Sequence, residues 1–509
     1  MSIKAILSKV YAAYIFKRVN FMRNNAIACQ KKEFDLLVSK ARYTSFGINH
    51  NFEAIHTYED FKNSVPLRDY EQLSDYIHRV KKGEVNVLWP GKPLYLSKTS
   101  GTTSGTKYIP ISRDSISNHI KSARNALLMY IHETGNSAFV SGKMIFLSGS
   151  PVLEKIAGIL TGRLSGIVNH HVPAYLRGNQ VPSLEVNSIE DWELKIEAII
   201  SEIVNQPLSL ISGIPPWVQM FFDRLQVRYG KTVSEIFPDL ALYVYGGVNY
   251  EPYRTRLENS MGGQIDTIET YPASEGFIAY QDTRQEPGLL LVADAGIYYE
   301  FVPLEEIEFE KPSRLSLAEV KCDKNYALVL NTNAGLWGYI LGDTVRFVSL
   351  NPFRIVVSGR IKHFISAFGE HVIGEEVDFA LQSVAVQLKT EIVEFTVAPK
   401  VDPEIANELP YHEWFIEFGK LPDDLAEFSA RLDKALQEKN SYYKDLIQGN
   451  ILQPLKIRKM KRDTFIKHMR AEGRLGGQNK VPHLANNRDI ADKLKNYIES
   501  LEIGKHKLY

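Results

Sequence analysis

The stretch Ser97-Lys-Thr-Ser-Gly-Thr-Thr-Ser-Gly-Thr-Lys-Tyr108 is the most informative part of this chain of 509 residues. Every residue before Tyr108 is Ser, Thr, Gly or Lys, and an apolar run from Val87 to Leu96 precedes them. Glycines let a backbone approach phosphate oxygens, hydroxyls donate hydrogen bonds, and a lysine supplies positive charge. The stretch therefore predicts a loop that binds a polyphosphate, with a polar surface loop as the alternative.

This loop matches neither of two common nucleotide-binding patterns. A Walker A motif needs four residues between its glycines and then Lys-Ser/Thr, whereas three residues separate Gly101 from Gly105 and Tyr108 follows Lys107. The spacing also differs from Gly-x-Gly-x-x-Gly, so it gives no support to a Rossmann dinucleotide site.

The composition indicates a large globular protein with more than one domain, since 44% of the residues are hydrophobic and 24% are charged. Sixty basic and sixty acidic residues cancel, so the overall charge gives no indication of a nucleic-acid partner. Cys29 and Cys322 match no zinc pattern and fit a reducing compartment.

The first 23 residues carry interspersed Lys and Arg around an apolar core, Val10 to Phe16. No clear cleavage site follows, and no apolar run approaches the ~20 residues that span a bilayer. We interpret the segment as an amphipathic helix packed on the body of the protein, with a peripheral membrane helix as the alternative, and expect a cytoplasmic protein.

Helical and strand patterns alternate along most of the chain, which favours a mixed α/β fold. Helices are predicted over 112–131, 189–205 and 217–229, and strands over 143–148, from 208, from 240 and between 289 and 348. After Arg360, the helix–strand–strand–helix pattern is typical of a separate α+β domain. We predict a large N-terminal domain, 1–360, and a small mobile C-terminal domain, 361–509.

Three further stretches contain residue types that suit an ATP site, and each is predicted to lie in a turn. Tyr245-Gly-Gly-Val248 could let a flat ring lie against the backbone at Gly246 and Gly247, or could be an ordinary tight turn. Gly338–Thr344 presents Asp343 as an acceptor for ribose hydroxyls, or forms a plain Gly-Asp turn. Arg474–Pro482 carries Lys480, which could meet developing negative charge or could belong to a solvated basic surface.

The stretch Glu269-Thr-Tyr-Pro-Ala-Ser-Glu-Gly276 combines an aromatic ring, a hydroxyl and a carboxylate. Tyr271 could cover a base, Ser274 could bind a phosphate, and Glu275 could hold Mg²⁺, which favours oxygen ligands. The alternative is a hydrolase, since Pro272-x-Ser-x-Gly276 differs at one position from the nucleophile elbow Gly-x-Ser-x-Gly. Pro272 would hinder the sharp turn of an elbow, which makes that interpretation weaker.

In this order, the motifs resemble those of the adenylate-forming superfamily of acyl-CoA synthetases, adenylation domains and luciferases. The phosphate loop resembles Thr99 to Lys107, and the superfamily hinge resembles Gly359-Arg-Ile-Lys-His363. The superfamily motifs Tyr-x-x-Thr/Ser-Glu and Tyr-x-x-Gly-Asp resemble Tyr271–Glu275 and Tyr339–Asp343. Within the superfamily the chain is most similar to the auxin-conjugating acyl-acid amido synthetases of the Gretchen Hagen three family, through Tyr43–His50, the serine form of Tyr271–Glu275, Phe368–His371 and Gln478–Pro482. Two positions differ from the usual pattern: His363 replaces the hinge aspartate, and His371 replaces a lysine.

The resemblance implies an enzyme that activates a carboxylic acid as an acyl-adenylate, with ATP and Mg²⁺. It implies ATP contacts at Ser100, Thr102, Thr103, Ser104, Lys107, Gly246, Gly247, Tyr271, Asp343 and Arg360. Ser274 would contact the α-phosphate, Glu275 the Mg²⁺, and Lys480 the reacting carboxylate and α-phosphate.

The acceptor implied by the nearest family is an amine, usually an amino acid. Coenzyme A is the alternative acceptor, and a non-catalytic nucleotide-binding module is the alternative of another class. The walls of the acyl pocket are expected within 122–130, 166–175 and 211–217. Adjacent His170 and His171 point in different directions, which favours pocket-lining or turn-capping roles over a metal site.

Overall fold

The computed structural model describes residues 2–99, 107–172, 177–189, 191–247, 250–361, 364–365, 372–401, 403–405, 408–448, 452–475, 480–485 and 487–498. The predictions for Ser100, Thr102, Thr103 and Ser104 lie outside these residues, as do the two unusual histidines, His363 and His371.

The described helices fall mainly where the hydrophobic pattern repeats at helical spacing. They are α1 Ile3–Asn24, α2 Ala26–Ala41, α3 Ser45–Asn49, α4 Tyr58–Ser64, α5 Ser74–Lys81, α6 Arg113–Thr134, α7 Leu164–Asn169, α8 Leu184–Asn187, α9 Trp192–Ile203, α10 Pro215–Tyr229, α11 Val233–Ile236, α12 Arg254–Met261, α13 Gly374–Gln387, α14 Leu425–Lys439, α15 Ser441–Gln448, α16 Thr464–Ala471 and α17 Asp489–Leu494. Short 3₁₀ turns cover Phe52–Ala54, Glu71–Leu73, Ala138–Ser141, Glu251–Tyr253, Leu304–Glu306 and Lys495–Tyr497.

The strands are rich in β-branched and aromatic residues. They are β1 Tyr95–Thr99, β2 Lys107–Ile111, β3 Lys143–Phe146, β4 Glu154–Ile156, β5 Ile159–Gly162, β6 Gln180–Val181, β7 Leu208–Ser212, β8 Leu242–Gly246, β9 Asp266–Ala273, β10 Gly276–Tyr280, β11 Leu289–Leu291, β12 Ile297–Pro303, β13 Asn325–Thr332, β14 Tyr339–Leu350, β15 Phe353–Arg360, β16 Phe364–Ile365, β17 Val372–Ile373, β18 Glu391–Lys400, β19 Tyr411–Lys420 and β20 Lys456–Lys459.

One sheet of eleven strands organises the larger part of the chain, in the order β12-β13-β14-β15-β11-β10-β9-β8-β7-β3-β6. Strands β6, β3, β7, β8 and β9 run parallel, whereas β9, β10, β11 and β15 pair antiparallel. Strands β1, β2, β4 and β5 form a smaller sheet. The parallel half is linked by helices such as α10, as expected for a mixed α/β fold, so the predicted fold class is confirmed.

Two compact units divide the chain. The first is mainly Met1–Tyr250 and Arg256–Val357, and the second contains Glu251–Thr255, Ser358–Leu475 and the described residues from 480 onward. This division lies close to residues 360 and 361, where the sequence suggested a domain boundary. The assignment of ATP and acyl binding to one domain, and of a mobile catalytic lysine to the other, stays a prediction.

The second unit has its own core, built where α13 and α14 pack beside the three-stranded sheet β18-β19-β20. Trp414, Phe428 and Leu432 are fully buried in this core. A separate core of this size indicates that the unit can hold its shape through its own contacts.

The N-terminal helix α1 packs on α6 through the small and branched side chains of Ala12, Ile15 and Val19. This agrees with the prediction of a helix packed on the body of the protein. Among the residues that the structure describes, no helix is both long and apolar enough to cross a membrane.

Candidate functional site

The candidate site of the first unit lies where the parallel strands β8 and β9 end. Gly246 closes β8 and pairs with Thr270 of β9, and Ser274 and Glu275 follow directly after β9. In open α/β sheets, ligands bind outside the carboxyl ends of the parallel strands. The sheet therefore brings two of the predicted stretches to one edge.

Tyr271 and Asp343 are joined by a buried hydrogen bond. The Tyr271 hydroxyl donates to Asp343 Oδ2 at 2.6 Å, and both side chains are more than nine-tenths buried. A short bond to a carboxylate is among the stronger hydrogen bonds in proteins. The two residues, 72 positions apart in sequence, therefore form one structural element.

Asp343 lies in a bulge of strand β14, not in the turn that the sequence predicted. Ile340 and Thr344 pair with residues of β13 that are only two positions apart, so the three residues between them leave the ladder. Gly342 adopts a φ of +94°, which glycine accommodates without steric cost. The prediction of a turn failed because a bulge uses the same Gly-Asp chemistry inside a strand.

Ser274 lies in the tight connection between β9 and β10, and its hydroxyl accepts a hydrogen bond from Ser97 at 3.0 Å. Tyr271 is within β9, so the predicted turn is limited to the end of this stretch. A nucleophile elbow joins a strand to a helix, whereas Ser274 joins two antiparallel strands. The geometry therefore opposes the hydrolase interpretation.

Glu275 is a buried carboxylate that accepts a hydrogen bond from Tyr339 at 3.2 Å. Burial raises the pKa of Glu275, and the charge of Asp343 raises it further. Lys107 and the Tyr339 hydroxyl act in the opposite direction. The carboxylate thus lies in a setting where a cation would be strongly favoured.

Lys107 begins β2, directly opposite Thr99 of β1. The hydroxyl-rich residues 100–106 connect these two paired strands and lie outside the described part of the chain. The Lys107 ammonium lies 5.5 Å from the centroid of the Tyr70 ring, a distance typical of a cation–π contact. Thr99 and Lys107, which border the predicted phosphate loop, thus lie on the same pair of strands as Ser97, the partner of Ser274.

Both glycines of the Tyr245-Gly-Gly stretch have structural reasons of their own. A side chain at Gly246 would come within 2.2 Å of the Thr270 carbonyl oxygen, and Gly247 adopts a φ of +76°. Since strand packing alone accounts for the two glycines, a contact with adenine stays a prediction.

Arg360 and Lys480 belong to the second unit. Arg360 ends β15 and is exposed, and Lys480 lies on an exposed segment just before Pro482. The other predicted site residues that the structure describes lie in the first unit: Lys107, Gly246, Gly247, Tyr271, Ser274, Glu275 and Asp343.

The segment after Lys480 is anchored on β18. Thr396 donates its hydroxyl hydrogen to the Pro482 carbonyl at 2.6 Å, and the Val397 amide donates to the His483 carbonyl at 2.9 Å. Leu484 then pairs with Val397 in a parallel bridge. The lysine is exposed, but the residues that follow it are held by backbone hydrogen bonds.

The His483 ring lies between two carboxylates of the same unit. Its Nδ1 is 2.9 Å from Asp378 Oδ1, and its Nε2 is 3.2 Å from Glu394 Oε1. Burial lowers the pKa of His483, but the two carboxylates outweigh this effect and raise it to about 10. A doubly bonded imidazolium thus anchors the Lys480 segment, and sequence reasoning gave no signal for it.

His170 and His171 bind different partners, as expected from their adjacency. His170 Nε2 lies 2.9 Å from the Pro151 carbonyl oxygen, and His171 Nε2 lies 2.9 Å from the Tyr95 hydroxyl. An open cavity of about 340 Å³ lies beside them, lined by Tyr95, Pro151, Val152, Leu153, Leu160, His170, Leu184 and Ser188. His170 thus lines a cavity, as predicted for this pair, and the extent of the acyl pocket stays a prediction.

No group of three or more His, Cys, Asp or Glu side chains in the described ranges could hold a metal ion. Mg²⁺ commonly binds one or two carboxylates together with waters and the phosphates of a nucleotide. The single buried carboxylate of Glu275 fits that mode of binding.

Comparison with known proteins places this arrangement in a family. The chain matches the GH3 family N-terminal domain over residues 15–195, the central domain over 290–360 and the C-terminal domain over 375–489. The chain belongs to the GH3 family. The central match includes Asp343, and the C-terminal match includes Lys480 and His483.

Among GH3 relatives, the chain is 23% identical over 496 residues to the jasmonoyl–L-amino acid synthetase JAR4 of Nicotiana attenuata, covering 83% of each chain. It is 27% identical over 521 residues to the indole-3-acetic acid-amido synthetase GH3.10 of Arabidopsis thaliana, covering 85% of this chain and 87% of that one.

Solved structures share the fold. The GH3.15 acyl acid amido synthetase superimposes with a TM-score of 0.79 at 16% identity, over 96% of this chain and 97% of that chain. A 2-hydroxyisobutyryl-CoA ligase in the postadenylation state superimposes with a TM-score of 0.58 at 11% identity, over 92% and 91%. The predicted resemblance to the GH3 family and to the adenylate-forming fold is confirmed.

Two supporting residues of this GH3 site received no role from the sequence. Ser97 bonds to Ser274, and Tyr339 bonds to Glu275. Both lie within quoted motifs, so the motifs located them, but their partners depend on how separate strands meet in the sheet.

Proposed function

We propose that this GH3 protein is an ATP-dependent, AMP-forming acyl-acid amido synthetase. An oxygen of the substrate carboxylate attacks the α-phosphorus of ATP, and the bond to pyrophosphate breaks. The nitrogen of an amine then attacks the acyl carbon, the bond to AMP breaks, and the nitrogen loses a proton. The first step supplies the good leaving group that a free carboxylate lacks.

One observation carries the proposal. Tyr271, Ser274, Glu275 and Asp343 meet at the carboxyl end of the parallel strands, and each is at least nine-tenths buried. Burying two carboxylates near each other costs free energy unless they are paired or bind a ligand. This cost indicates a site retained for binding and chemistry.

In the first step, negative charge builds up on phosphate oxygens, so fixed donors and cations stabilise the transition state. We assign the β- and γ-phosphates to Thr102, Thr103 and Ser104, with Ser100 and Lys107 supporting the loop. Ser274 contacts the α-phosphate. The proximity of Ser97 to Ser274 supports this assignment, because it joins the strand that precedes the loop to the α-phosphate residue.

We assign the nucleoside to two sets of residues. Gly246, Gly247 and Tyr271 frame the adenine, and Asp343 and Arg360 hold the ribose hydroxyls. The hydrogen bond from Tyr271 supports the assignment of Asp343, because it holds this carboxylate, an acceptor for hydroxyl groups, beside the predicted adenine residue Tyr271.

Glu275 is the proposed ligand of Mg²⁺. When bound, Mg²⁺ neutralises charge on the phosphate oxygens and orients the leaving pyrophosphate. The Tyr339 hydroxyl holds one oxygen of Glu275 in place, which restricts the side chain to one orientation.

Lys480 contacts the carboxylate and α-phosphate during the first step. Its exposure suits a residue that contacts the substrate only when the small domain closes, and domain rotation between the two steps belongs to this proposal.

The proposed acceptor is an amino acid. JAR4 is named a jasmonoyl–L-amino acid synthetase and GH3.10 an indole-3-acetic acid-amido synthetase, and each aligns over more than four-fifths of this chain. Coenzyme A is the second candidate, because the shared fold also occurs in a coenzyme A ligase. A cytoplasmic location also belongs to the proposal, since the described cysteines Cys29 and Cys322 are both free thiols.

The experiment is to incubate the protein with ATP, Mg²⁺ and a library of carboxylic acids, with either amino acids or coenzyme A. Mass spectrometry should detect an amide and AMP, and only when ATP, acid and amino acid are all present. A thioester in place of the amide would favour the coenzyme A ligase. ATP binding in calorimetry without an amide or a thioester would favour the non-catalytic nucleotide-binding module, and failure to bind ATP would contradict the proposal.

A further inference from the structure

Helix α1 has a large apolar face that points away from the domain. Ile3 is 77% exposed, Leu7 62%, Val10 67%, Tyr14 55% and Phe21 66%. Their spacing of three, four or seven residues places them on one side of the helix. Large side chains at this degree of exposure, in one continuous row, indicate a surface that binds something apolar.

The opposite side of α1 is already in use. Ala5, Ala12, Ile15, Val19 and Met22 are buried, and the helix packs on α6. The helix therefore cannot turn its exposed row inward without giving up that core. The helix also cannot insert across a bilayer, because one side of it is packed on the domain.

The segment that contains this row carries basic residues and no acidic ones. Residues 1–32 contain seven Lys or Arg and no Asp or Glu, in a chain whose sixty basic and sixty acidic residues cancel overall. Lys4, Lys17 and Arg18 are exposed beside the apolar row. A helix with an apolar row flanked by cations is typical of one that lies in a membrane interface.

A basic residue of the neighbouring helix α6 also lies next to the apolar row, whereas two arginines of α1 interact with carboxylates of the domain. The guanidinium of Arg124 on α6 lies 5.4 Å from the centroid of the Tyr11 ring, next to the row. Arg23 turns inward towards buried Asp282, 3.6 Å away, and Arg18 interacts with the carboxylate of Asp294. Lys4 donates a hydrogen bond to Asn179 at 3.1 Å, whereas Lys17 is exposed beside the row, where it can meet an anionic surface.

We propose that α1 is a docking surface for an anionic lipid bilayer, on which the helix lies parallel to the membrane. From Ile3 to Phe21 the row is about 27 Å long at 1.5 Å per residue. Tyr11, Tyr14 and Phe21 add aromatic rings, which are enriched at the level of lipid headgroups. The inference is independent of the proposed enzyme activity and would bring the active site close to membrane-soluble acids.

A second copy of the chain fits this surface less well. A two-fold interface on α1 would place its cationic borders, with Lys4 and Lys17, against the same borders of the other copy. Like charges brought together at an interface lower the affinity. An anionic bilayer satisfies the apolar row and the cations together.

The test is flotation of the full chain with vesicles of phosphatidylcholine alone and with added phosphatidylserine. We expect binding to the anionic vesicles, weaker binding at high salt, and loss of binding in Val10→Asp. Lys17→Gln should weaken binding by about fivefold, since each basic residue near an anionic surface contributes about that factor. Val227→Asp is the matched control, because Val227 on α10 is also exposed, at 84%.

Each outcome decides the proposal. The proposal is supported if Val10→Asp loses vesicle binding and Val227→Asp keeps it, provided that both variants unfold at the wild-type temperature. Equal loss in the two variants, no loss in Val10→Asp, or no vesicle binding at all overturns it. Self-association in solution that Val10→Asp abolishes, without vesicle binding, would assign the surface to a second copy instead.

Discussion

The two halves of the predicted set of site residues are built in opposite ways. In the first unit, Tyr271, Glu275 and Asp343 are buried and hydrogen-bonded within the sheet. In the second unit, Lys480 is exposed, and the residues after it are anchored on β18. The first half of the set belongs to the core of its unit, and Lys480 lies on the surface of the other unit.

This difference predicts how each half responds to substitution. A change in the buried half removes contacts that hold the sheet together, so activity and stability should fall together. A change at the exposed lysine removes charge from the reaction but no packing, so activity alone should fall. The following predictions test that separation, beginning with the largest effect.

Lys480→Ala should have the largest effect. We expect acid-dependent exchange of pyrophosphate into ATP to fall by about 100- to 1,000-fold, the loss typical when one fixed transition-state donor is removed. The melting temperature should stay within error of the wild type. Lys434→Ala, at an exposed position of α14 in the same unit, is the control. Unchanged exchange in Lys480→Ala would remove the lysine from the mechanism.

Glu275→Gln should lower the apparent affinity for Mg²⁺ by at least about tenfold. Mutation of a residue that only supports a metal ligand already lowers the metal affinity by about that factor. Because burial raises the pKa of Glu275, the wild-type carboxylate gains its proton at a higher pH than an ordinary Glu. The apparent Mg²⁺ affinity of the wild type should therefore decline as the pH falls into the mildly acidic range. Titrations of exchange with Mg²⁺ at several pH values check this, and the same pH dependence in Glu275→Gln would contradict it.

Tyr271→Phe should lower the free energy of unfolding by about 2 kcal/mol, because Asp343 loses a buried donor to its carboxylate. The same variant should bind ATP more weakly, since Asp343 is no longer held in place. Chemical denaturation and calorimetry measure the two effects. Tyr43→Phe is the matched control, as Tyr43 is 72% exposed. Weaker ATP binding without any loss of stability would oppose the coupling expected of the buried half.

The stability of the second unit should depend on the protonation of His483. Its pKa is raised from 6.5 to about 10 in the folded state, so its contribution is fully present below about pH 6.5 and is lost as the pH rises towards 10. Thermal unfolding over this pH range should show the decline, and His483→Gln should flatten it. An equally steep decline in His483→Gln would show that another group is responsible.

Much of the fold and part of the site could be predicted from the sequence. These predictions came from patterns within short stretches of the chain. The helix from Ser112 and the strand from Leu208 carry their signals within about twenty residues, so periodicity located them. The motif at Tyr271–Glu275 was recognisable for the same reason. The role of Asp343 as a site residue stays a prediction, and its bulge was not predicted because a turn and a bulge use the same residues.

Contacts between distant segments were beyond the reach of sequence patterns. Ser97 and Ser274 meet only because the smaller sheet lies beside the larger one, and His483 finds Asp378 and Glu394 through the packing of α13 and β18. The sequence predicted that α1 packs on the body of the protein, with a peripheral membrane helix as the alternative. It did not indicate which apolar residues of α1 are buried and which form the exposed row, because both sides of the helix are apolar.

The most direct test of the central claim follows the oxygen atoms of the acid. With an acid substrate labelled with oxygen-18 in its carboxylate, and with ATP, Mg²⁺ and an amino acid, adenylation predicts one labelled oxygen in the AMP for each amide formed. Label in inorganic phosphate with release of ADP would mean activation through an acyl phosphate. That result, or amide formation without any label in AMP, would contradict the account.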